Sequence, residues 1–98
     1  MNTSAKGRAR EHKTMKVLRA DGWQCARAAA SKGEGGIDII AWNYRDIRFI
    51  QVKSGKAIKN SAADRILSRI RKALNAPNNA WIELWNWEDY AKSPKVWL

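Results

Sequence analysis

Hydrophobic residues recur at helical spacing in the first part of the chain. Met15 and Leu18, three residues apart, lie on one face of a helix predicted over residues 5–21. Gly22 ends this helix, and Ser4 is a candidate N-cap. The residues up to Ser4 are expected to form a short loose tail.

The central part of the chain predicts two strands joined by a short turn. Residues 37–42 form a near-continuous apolar segment, typical of a strand that is covered on both faces. Residues 47–53 form a second strand, and the turn over residues 43–46 makes the pair a hairpin. A weaker strand is predicted over residues 23–30. Between them, residues 31–36 contain three glycines, which permit unusual backbone dihedral angles and close approach of a ligand.

A second helix is predicted over residues 61–74, where Ser61 and Asp64 resemble a capping box with Asp in place of Glu. Its buried stripe consists of Ile66, Leu67, Ile70 and Leu74. Residues 80–87 then alternate between two faces, as in a strand, and residues 95–98 suggest a short edge strand. This order of elements predicts one small α/β domain over residues 1–98, with a mixed central sheet flanked by helices.

Charge narrows the class of partner. The 98 residues contain 19 Lys and Arg against 9 Asp and Glu, a net charge of +10, which favours nucleic acid over an anionic membrane surface. Residues 1–76 hold 17 of the basic and 6 of the acidic side chains. The positive charge therefore surrounds the part of the chain that carries the candidate site.

The same composition argues against several other classes. A single cysteine, Cys25, excludes an intramolecular disulfide and a cysteine-based zinc cluster. The first 20 residues have no secretory signal pattern, and no segment approaches the roughly 18 apolar residues of a membrane span. The expectation is a cytoplasmic protein with no membrane association.

Asp38 is a charged residue inside an apolar strand, where an isolated carboxylate is costly without a partner or a metal. Gln51 and Lys53 project from one face of the neighbouring strand, about 7 Å apart. Glu11 lies four residues before Met15, so it shares the helix face that is directed toward the sheet. These four side chains are expected to converge at one end of the sheet.

Such a set suits metal-assisted hydrolysis of a phosphodiester bond. Mg²⁺ prefers hard oxygen ligands and binds through one or two carboxylates together with water and phosphate oxygens. Asp38 would be the principal ligand, and Gln51 offers a neutral amide oxygen. Lys53 would orient the nucleophile and stabilise developing charge. The structural alternatives are a buried Asp38–Lys53 ion pair and a Glu11 that pairs with a surface lysine.

Gly36-Ile37-Asp38 followed by Gln51-Val52-Lys53 resembles the PD-(D/E)xK nuclease motif. Together with Lys6-Gly7-Arg8, Glu11, Gly22-Trp23 and Ser31-Lys32-Gly33, it resembles the archaeal-type Holliday junction resolvases over roughly residues 6–75. The resemblance implies a restriction-endonuclease-like fold. It also implies a homodimer that uses Mg²⁺, or Mn²⁺ as a substitute, to make paired nicks in a four-way DNA junction.

Carried over by position, the resemblance implies a catalytic set and a group of DNA contacts. The catalytic set is Glu11, Asp38, Gln51 and Lys53, with Ser31 as an accessory residue, and the metal ligands are Asp38, Gln51 and Glu11. The residues expected to contact DNA phosphates are Lys6, Arg8, Arg10, Arg27, Lys32, Lys56 and Lys59. Gln51 departs from the motif, because it stands where the second acid is usual.

Two other functions fit the same residues. One is a nuclease of the same fold that acts on other DNA, as a nickase, a repair enzyme or a restriction-like enzyme. The other is a non-catalytic DNA-binding module in which Gln51 marks the loss of metal affinity. Cutting without a preference for junctions would indicate the first, and binding that is indifferent to Mg²⁺ would indicate the second.

Overall fold

The computed structural model describes residues 3–28 and 36–98, with side chains from Gly7 onward. Two helices and five strands follow one another along the chain. They are α1 (Thr3–Ala20), β1 (Gln24–Arg27), β2 (Ile39–Trp42), β3 (Ile47–Gly55), α2 (Asn60–Leu74), β4 (Ala80–Glu88) and β5 (Lys95–Trp97). The α/β class with a mixed sheet, predicted from the hydrophobic pattern, is confirmed.

The five strands form one sheet in sequence order, β1-β2-β3-β4-β5. Every neighbouring pair is antiparallel except β3 and β4, which run parallel and pair Ile47 with Ala80 through Gly55 with Glu88. Parallel neighbours require a crossover connection, and α2 supplies it. The predicted hairpin is β2 and β3, which pair Ile39 with Ile50.

Each face of the sheet is covered by one helix. On the α1 face, Met15 and Leu18 are buried against a cluster that includes Ile50 and Trp85. On the α2 face the buried residues are Ile37, Ala63, Leu67, Ile70, Ile82 and Leu84. The stripes predicted for both helices therefore face the sheet, and the central strands are buried on both sides.

Two predicted helix starts differ from the structure. Helix α1 begins at Thr3, so Ser4 lies within the helix rather than before it. Helix α2 begins at Asn60, its N-cap is Lys59, and no side chain caps it. The predicted capping box of Ser61 and Asp64 is wrong, because Ser61 already lies inside the first turn and Lys59 has no side-chain oxygen to accept a hydrogen bond.

No helix of the described ranges is long and apolar enough to cross a membrane.

Candidate active site

The backbone bends at Asp38, immediately before β2 begins. Ile37 packs in the α2-face cluster, whereas Ile39 packs in the α1-face cluster. Residues two apart in a regular strand share a face, so the alternation is broken at the residue between them. The Asp38 amide donates to the Ile50 carbonyl at 2.9 Å, and the Asp38 carbonyl accepts from the Ala28 amide at 2.9 Å.

The side chain of Asp38 continues the hydrogen bonding that the bend interrupts. Its Oδ2 atom accepts from the backbone N–H of Val52 at 2.7 Å. A strand amide of β3, which would otherwise have lost its partner beyond the end of β2, is thereby satisfied. This bond fixes the carboxylate at the edge of the β2–β3 pair. The position of the Asp38 carboxylate is therefore set by a hydrogen bond to the backbone and not by a salt bridge.

The surroundings of Asp38 disfavour its charge. Burial raises the pKa of Asp38 above its ordinary value, and the nearby Glu11 carboxylate raises it further. The Val52 N–H, Lys53 and Arg27 act in the opposite direction, but burial is the largest influence. A carboxylate that is both oriented and partly desolvated has a strong tendency to bind a proton or a cation.

Glu11 reaches the same region from α1. Its Oε1 atom accepts from Arg27 Nε of β1 at 2.9 Å. The alternative in which Glu11 pairs with a lysine on its own helix is therefore not what the structure shows. Because Arg27 is paired with Ile39 in the sheet, the ion pair lies one residue from Asp38.

Gln51 and Lys53 lie on β3 beside this pair. Gln51 is half-buried and Lys53 is exposed, and their register partners on β4 are Leu84 and Asn86. Lys53 influences Asp38 through space, but the two form no ion pair in the described part of the chain. The alternative of a structural Asp38–Lys53 salt bridge is thus not supported. The four predicted residues do lie around the same end of the sheet.

Helix α1 is fixed to the sheet by a buried polar chain. Trp87 Nε1 donates to Thr14 Oγ1 at 2.8 Å, and Thr14 Oγ1 donates to the Arg10 carbonyl at 2.8 Å. The Lys13 ammonium lies 4.9 Å from the centre of the Trp87 ring. Thr14 is fully buried, so its hydroxyl sets the rotation of the helix that carries Glu11.

The remaining predicted residues fall into two groups. Ser31 and Lys32 lie outside the described residues, as does the side chain of Lys6. Arg8, Lys56 and Lys59 are exposed, and Arg10 is half-buried. Lys56 directly follows β3 and Lys59 directly precedes α2, so both lie beyond the end of β3 nearest Asp38.

Sequence reasoning missed a second buried acid. Glu83 of β4 is 2% exposed and pairs with Arg48 of β3 through two contacts of 2.6 and 2.7 Å. Trp85 Nε1 also donates to Glu83, at 2.9 Å. An acid between apolar neighbours, the signal used for Asp38, was present at Glu83 too. The Glu83 charge is fully matched by a guanidinium and an indole, so this acid is structural.

The oxygen donors around Asp38 suit a hard divalent cation. The two carboxylates and the Gln51 amide are the oxygen types that Mg²⁺ accepts. Across residues 3–28 and 36–98, no group of three or more His, Cys, Asp or Glu side chains could hold a metal. A cation at this place would therefore keep several waters, as Mg²⁺ commonly does.

An acid before one strand and a lysine on the hairpin partner of that strand, at one end of a mixed sheet, are the arrangement expected of a metal-dependent nuclease. A family model described as archaeal Holliday junction resolvase (Hjc) matches residues 2–75. The chain belongs to this family of metal-dependent enzymes and is a junction-resolving endodeoxyribonuclease.

A solved structure supports the fold. Hjc from Archaeoglobus fulgidus, a Holliday junction resolvase from an archaeal hyperthermophile, is 21% identical to this chain, with a TM-score of 0.63. The match covers 94% of this chain and 71% of that one. No curated protein sequence matches the chain.

Proposed function

We propose that the chain makes paired nicks near the branch point of a four-way DNA junction, with Asp38, Glu11 and Gln51 as ligands of a Mg²⁺ ion and Lys53 beside them. The observation that carries this assignment is the state of Asp38. Its carboxylate is fixed by the Val52 amide and partly desolvated, and among the described residues it forms no ion pair with a guanidinium, in contrast to Glu83.

Each side chain has a separate task in this proposal. When bound, the divalent cation lowers the pKa of a water molecule and offsets charge on the phosphate. Asp38, held in place by the Val52 hydrogen bond, and Glu11, from α1, would supply carboxylate ligands to the ion. The exposed Lys53 ammonium stabilises negative charge that develops on the scissile phosphate. Mn²⁺, which accepts the same oxygen ligands, is expected to substitute for Mg²⁺.

Affinity for DNA comes from the basic side chains, through contacts to phosphate. We assign this task to Arg8, Arg10, Lys56 and Lys59, together with Lys6, Arg27 and Lys32. Ser31, next to Lys32 in the glycine-rich segment, is assigned an accessory role at the site. Such contacts carry no base information, so the shape of the junction, rather than its sequence, is the recognised feature.

Two symmetric nicks require two sites, and we therefore propose a homodimer that acts in the cytoplasm, where its DNA substrate is found. Sedimentation velocity at micromolar concentration tests this part alone. A single species near 11.2 kDa, the mass of one chain, would contradict the dimer without touching the assignment of the site.

The direct test compares a labelled immobile four-way junction with a linear duplex of matched sequence, each with Mg²⁺ or with EDTA. The variants are Asp38→Asn and, as a matched control, Asp64→Asn on the exposed surface of α2. We expect paired nicks near the branch point for the parent and for Asp64→Asn, and none for Asp38→Asn or in EDTA.

The other outcomes identify what is wrong. Equal cutting of both substrates would leave a nuclease of this fold but remove the preference for junctions. Tight binding without cutting, in Mg²⁺ and in Mn²⁺, would indicate a non-catalytic module and identify the neutral Gln51 as the reason. Cutting by Asp38→Asn at the parental rate would remove Asp38 from the site.

A further inference from the structure

The ion pair between Arg27 and Glu11 differs from the other ion pair of the described sheet. Arg48 holds Glu83 through two contacts, and the two side chains are 17% and 3% exposed. Arg27 holds Glu11 through one contact, and these side chains are 38% and 18% exposed. A partly exposed pair with a single contact is weak, because water competes for both partners. Breaking the Arg27–Glu11 pair therefore costs little, whereas breaking the Arg48–Glu83 pair would leave a buried charge without a partner.

Arg27 also compensates the charge of the site. Asp38 is repelled by Glu11 and attracted by Lys53 and Arg27, so two acids face two bases. Among these bases, only Arg27 directly contacts one of the two carboxylates in the described structure. Its guanidinium therefore provides, for Glu11, the positive charge that a metal ion would provide.

We propose that Arg27 is an internal counter-ion that competes with the divalent metal for Glu11, so that metal binding requires the guanidinium to leave this carboxylate. The inference rests on the proposed function, in which Glu11 is a metal ligand. Without metal, Arg27 keeps the two acids from facing each other uncompensated. With metal, the same guanidinium is released beside the site, where it is free to contact a DNA phosphate.

The proposal has a consequence for metal affinity that does not depend on catalysis. Removing Arg27 removes both a competing partner of Glu11 and one positive charge that repels the cation. We expect Arg27→Gln to bind Mn²⁺ with a dissociation constant about fivefold lower than the parent, the scale set by a partly exposed ion pair. A role for Arg27 in DNA contact alone, away from the ion, predicts no such gain.

The experiment measures Mn²⁺ binding to the full chain without DNA, by the electron paramagnetic resonance signal of free Mn²⁺. The matched control is Arg19→Gln, which removes the same charge from an exposed arginine whose nearest described partner is the Cys25 carbonyl, 3.5 Å away. Arg27→Met, which keeps the aliphatic part of the side chain, provides a second variant. Circular dichroism establishes that each variant is folded.

Tighter Mn²⁺ binding by Arg27→Gln and Arg27→Met, with Arg19→Gln at the parental affinity, supports the proposal. Unchanged or weaker binding by both Arg27 variants would overturn it. Asp38→Asn separates this failure from that of the proposed function. If Asp38→Asn abolishes Mn²⁺ binding and the Arg27 variants show no gain, only the competition is wrong. If Asp38→Asn leaves Mn²⁺ binding unchanged, the metal site itself is wrong, and the competition is wrong with it.

Discussion

At the scale of single residues, two acids of the sheet differ in how their charge is compensated. Glu83 accepts two hydrogen bonds from the Arg48 guanidinium and one from the Trp85 indole N–H, so its negative charge is neutralised by direct contacts. Asp38 has one backbone N–H and a partly desolvated setting that raises its pKa. Keeping the partly buried Asp38 carboxylate charged costs free energy in the metal-free protein. A bound cation would offset this cost, and the offset adds to the affinity for the cation.

We expect Asp38→Asn to stabilise the fold at neutral pH while it abolishes cutting. Because burial raises the pKa of Asp38, the folded chain binds this proton more tightly than the unfolded chain does. The resulting cost is absent below the ordinary pKa of aspartate, grows as pH rises to the raised pKa, and is complete above it. Asn keeps an oxygen for the Val52 N–H but carries no charge. Urea unfolding across a pH series measures the difference.

Asp64→Asn, on the exposed surface of α2, is the control for this series. The stability gained by Asp38→Asn should shrink toward zero as the solution is made acidic. A gain of constant size at every pH would show that the amide acts through packing rather than charge. A loss of stability at neutral pH would contradict the raised pKa.

Gln51 is the second residue at which the effect of a negative charge on metal affinity can be tested. The motif has an acid at this place, and a ligand's charge is a main determinant of affinity for a hard cation. We expect Gln51→Glu to tighten Mn²⁺ binding by about tenfold, and Gln51→Ala to weaken it. Calorimetric titration without DNA measures both. Gln24→Glu adds the same charge to an exposed position of β1, opposite Trp42, and should change little.

If Gln51→Ala binds Mn²⁺ like the parent, the Gln51 amide is not a ligand. The site then depends on Asp38 and Glu11 alone. If Gln24→Glu tightens binding as much as Gln51→Glu does, the effect is one of net charge rather than of place.

The position of a charged residue in the sheet could be predicted where the residue lies in a strand that the apolar pattern already indicates. The places of Asp38 and Lys53 in the β2–β3 hairpin were predictable, because an apolar segment and a short turn set the positions of both strands. The Arg27–Glu11 pair was not, since it depends on how α1 lies across the sheet, which no local pattern specifies. Glu83 carried the same signal as Asp38, but only the position of Arg48 shows which acid is already neutralised.

At the scale of the elements, α1 positions Glu11 through its contact with β4. Thr14 accepts from the buried Trp87 indole and donates to the Arg10 carbonyl. We expect Thr14→Val to destabilise the fold by about 1–3 kcal/mol, because it leaves the Trp87 N–H buried without an acceptor. Urea unfolding measures the loss, and the rate of junction cutting should fall as Glu11 loses its fixed place.

Two further variants test whether the loss of stability in Thr14→Val comes from the missing Trp87–Thr14 hydrogen bond or from the altered shape of the side chain. Thr14→Ser retains the hydroxyl and should keep most of the stability. Trp87→Phe removes the donor, so the cost of Thr14→Val should be smaller when it is made in the Trp87→Phe background. Costs that simply add would show that the two side chains do not act as a pair.

The sequence predicted the existence of the elements better than their ends. The stripe of α2 and the β2–β3 hairpin follow from apolar spacing, and both were confirmed. The bend at Asp38 was not predictable, because a continuous apolar segment carries no alternation whose break could be seen. The start of α2 was misjudged because a capping pattern at Ser61 outweighed Lys59, a residue with no capping side chain.

At the scale of the whole molecule, the two ends of the sheet differ in how their charged side chains are arranged. Strand β3 begins at Ile47, beside Ala80, and ends at Gly55. Asp38 bonds to Val52 in the second half of this strand, and Lys56 and Lys59 follow directly after it. The Arg48–Glu83 pair lies in the first half, where Arg48 is the second residue of β3 and Glu83 is opposite Ile50. The buried Arg48–Glu83 ion pair therefore lies toward one end of β3, and the exposed Lys56 and Lys59 lie beyond the other end.

This division predicts which lysines determine the salt dependence of DNA binding. Each phosphate contact releases condensed counter-ions, so the slope of log affinity against log salt reports the number of contacts. We expect Lys56→Gln/Lys59→Gln to make this slope less steep by about two, and to weaken binding to junctions of any sequence alike. Fluorescence anisotropy with a labelled junction, in Ca²⁺ and over a salt series, measures both quantities.

A double variant of equal charge tests whether place matters rather than net charge. Arg45 lies in the turn before β3, and Lys72 lies in the last turn of α2, which leads to the start of β4 beside Ile47; both are exposed. Because Arg45→Gln/Lys72→Gln lowers the net charge by the same two units at the opposite end of the sheet, its salt slope should equal that of the parent. Equal loss of slope in both double variants would mean that DNA responds to the total charge of the molecule. The basic residues beyond β3 would then have no special part in holding the junction over Asp38.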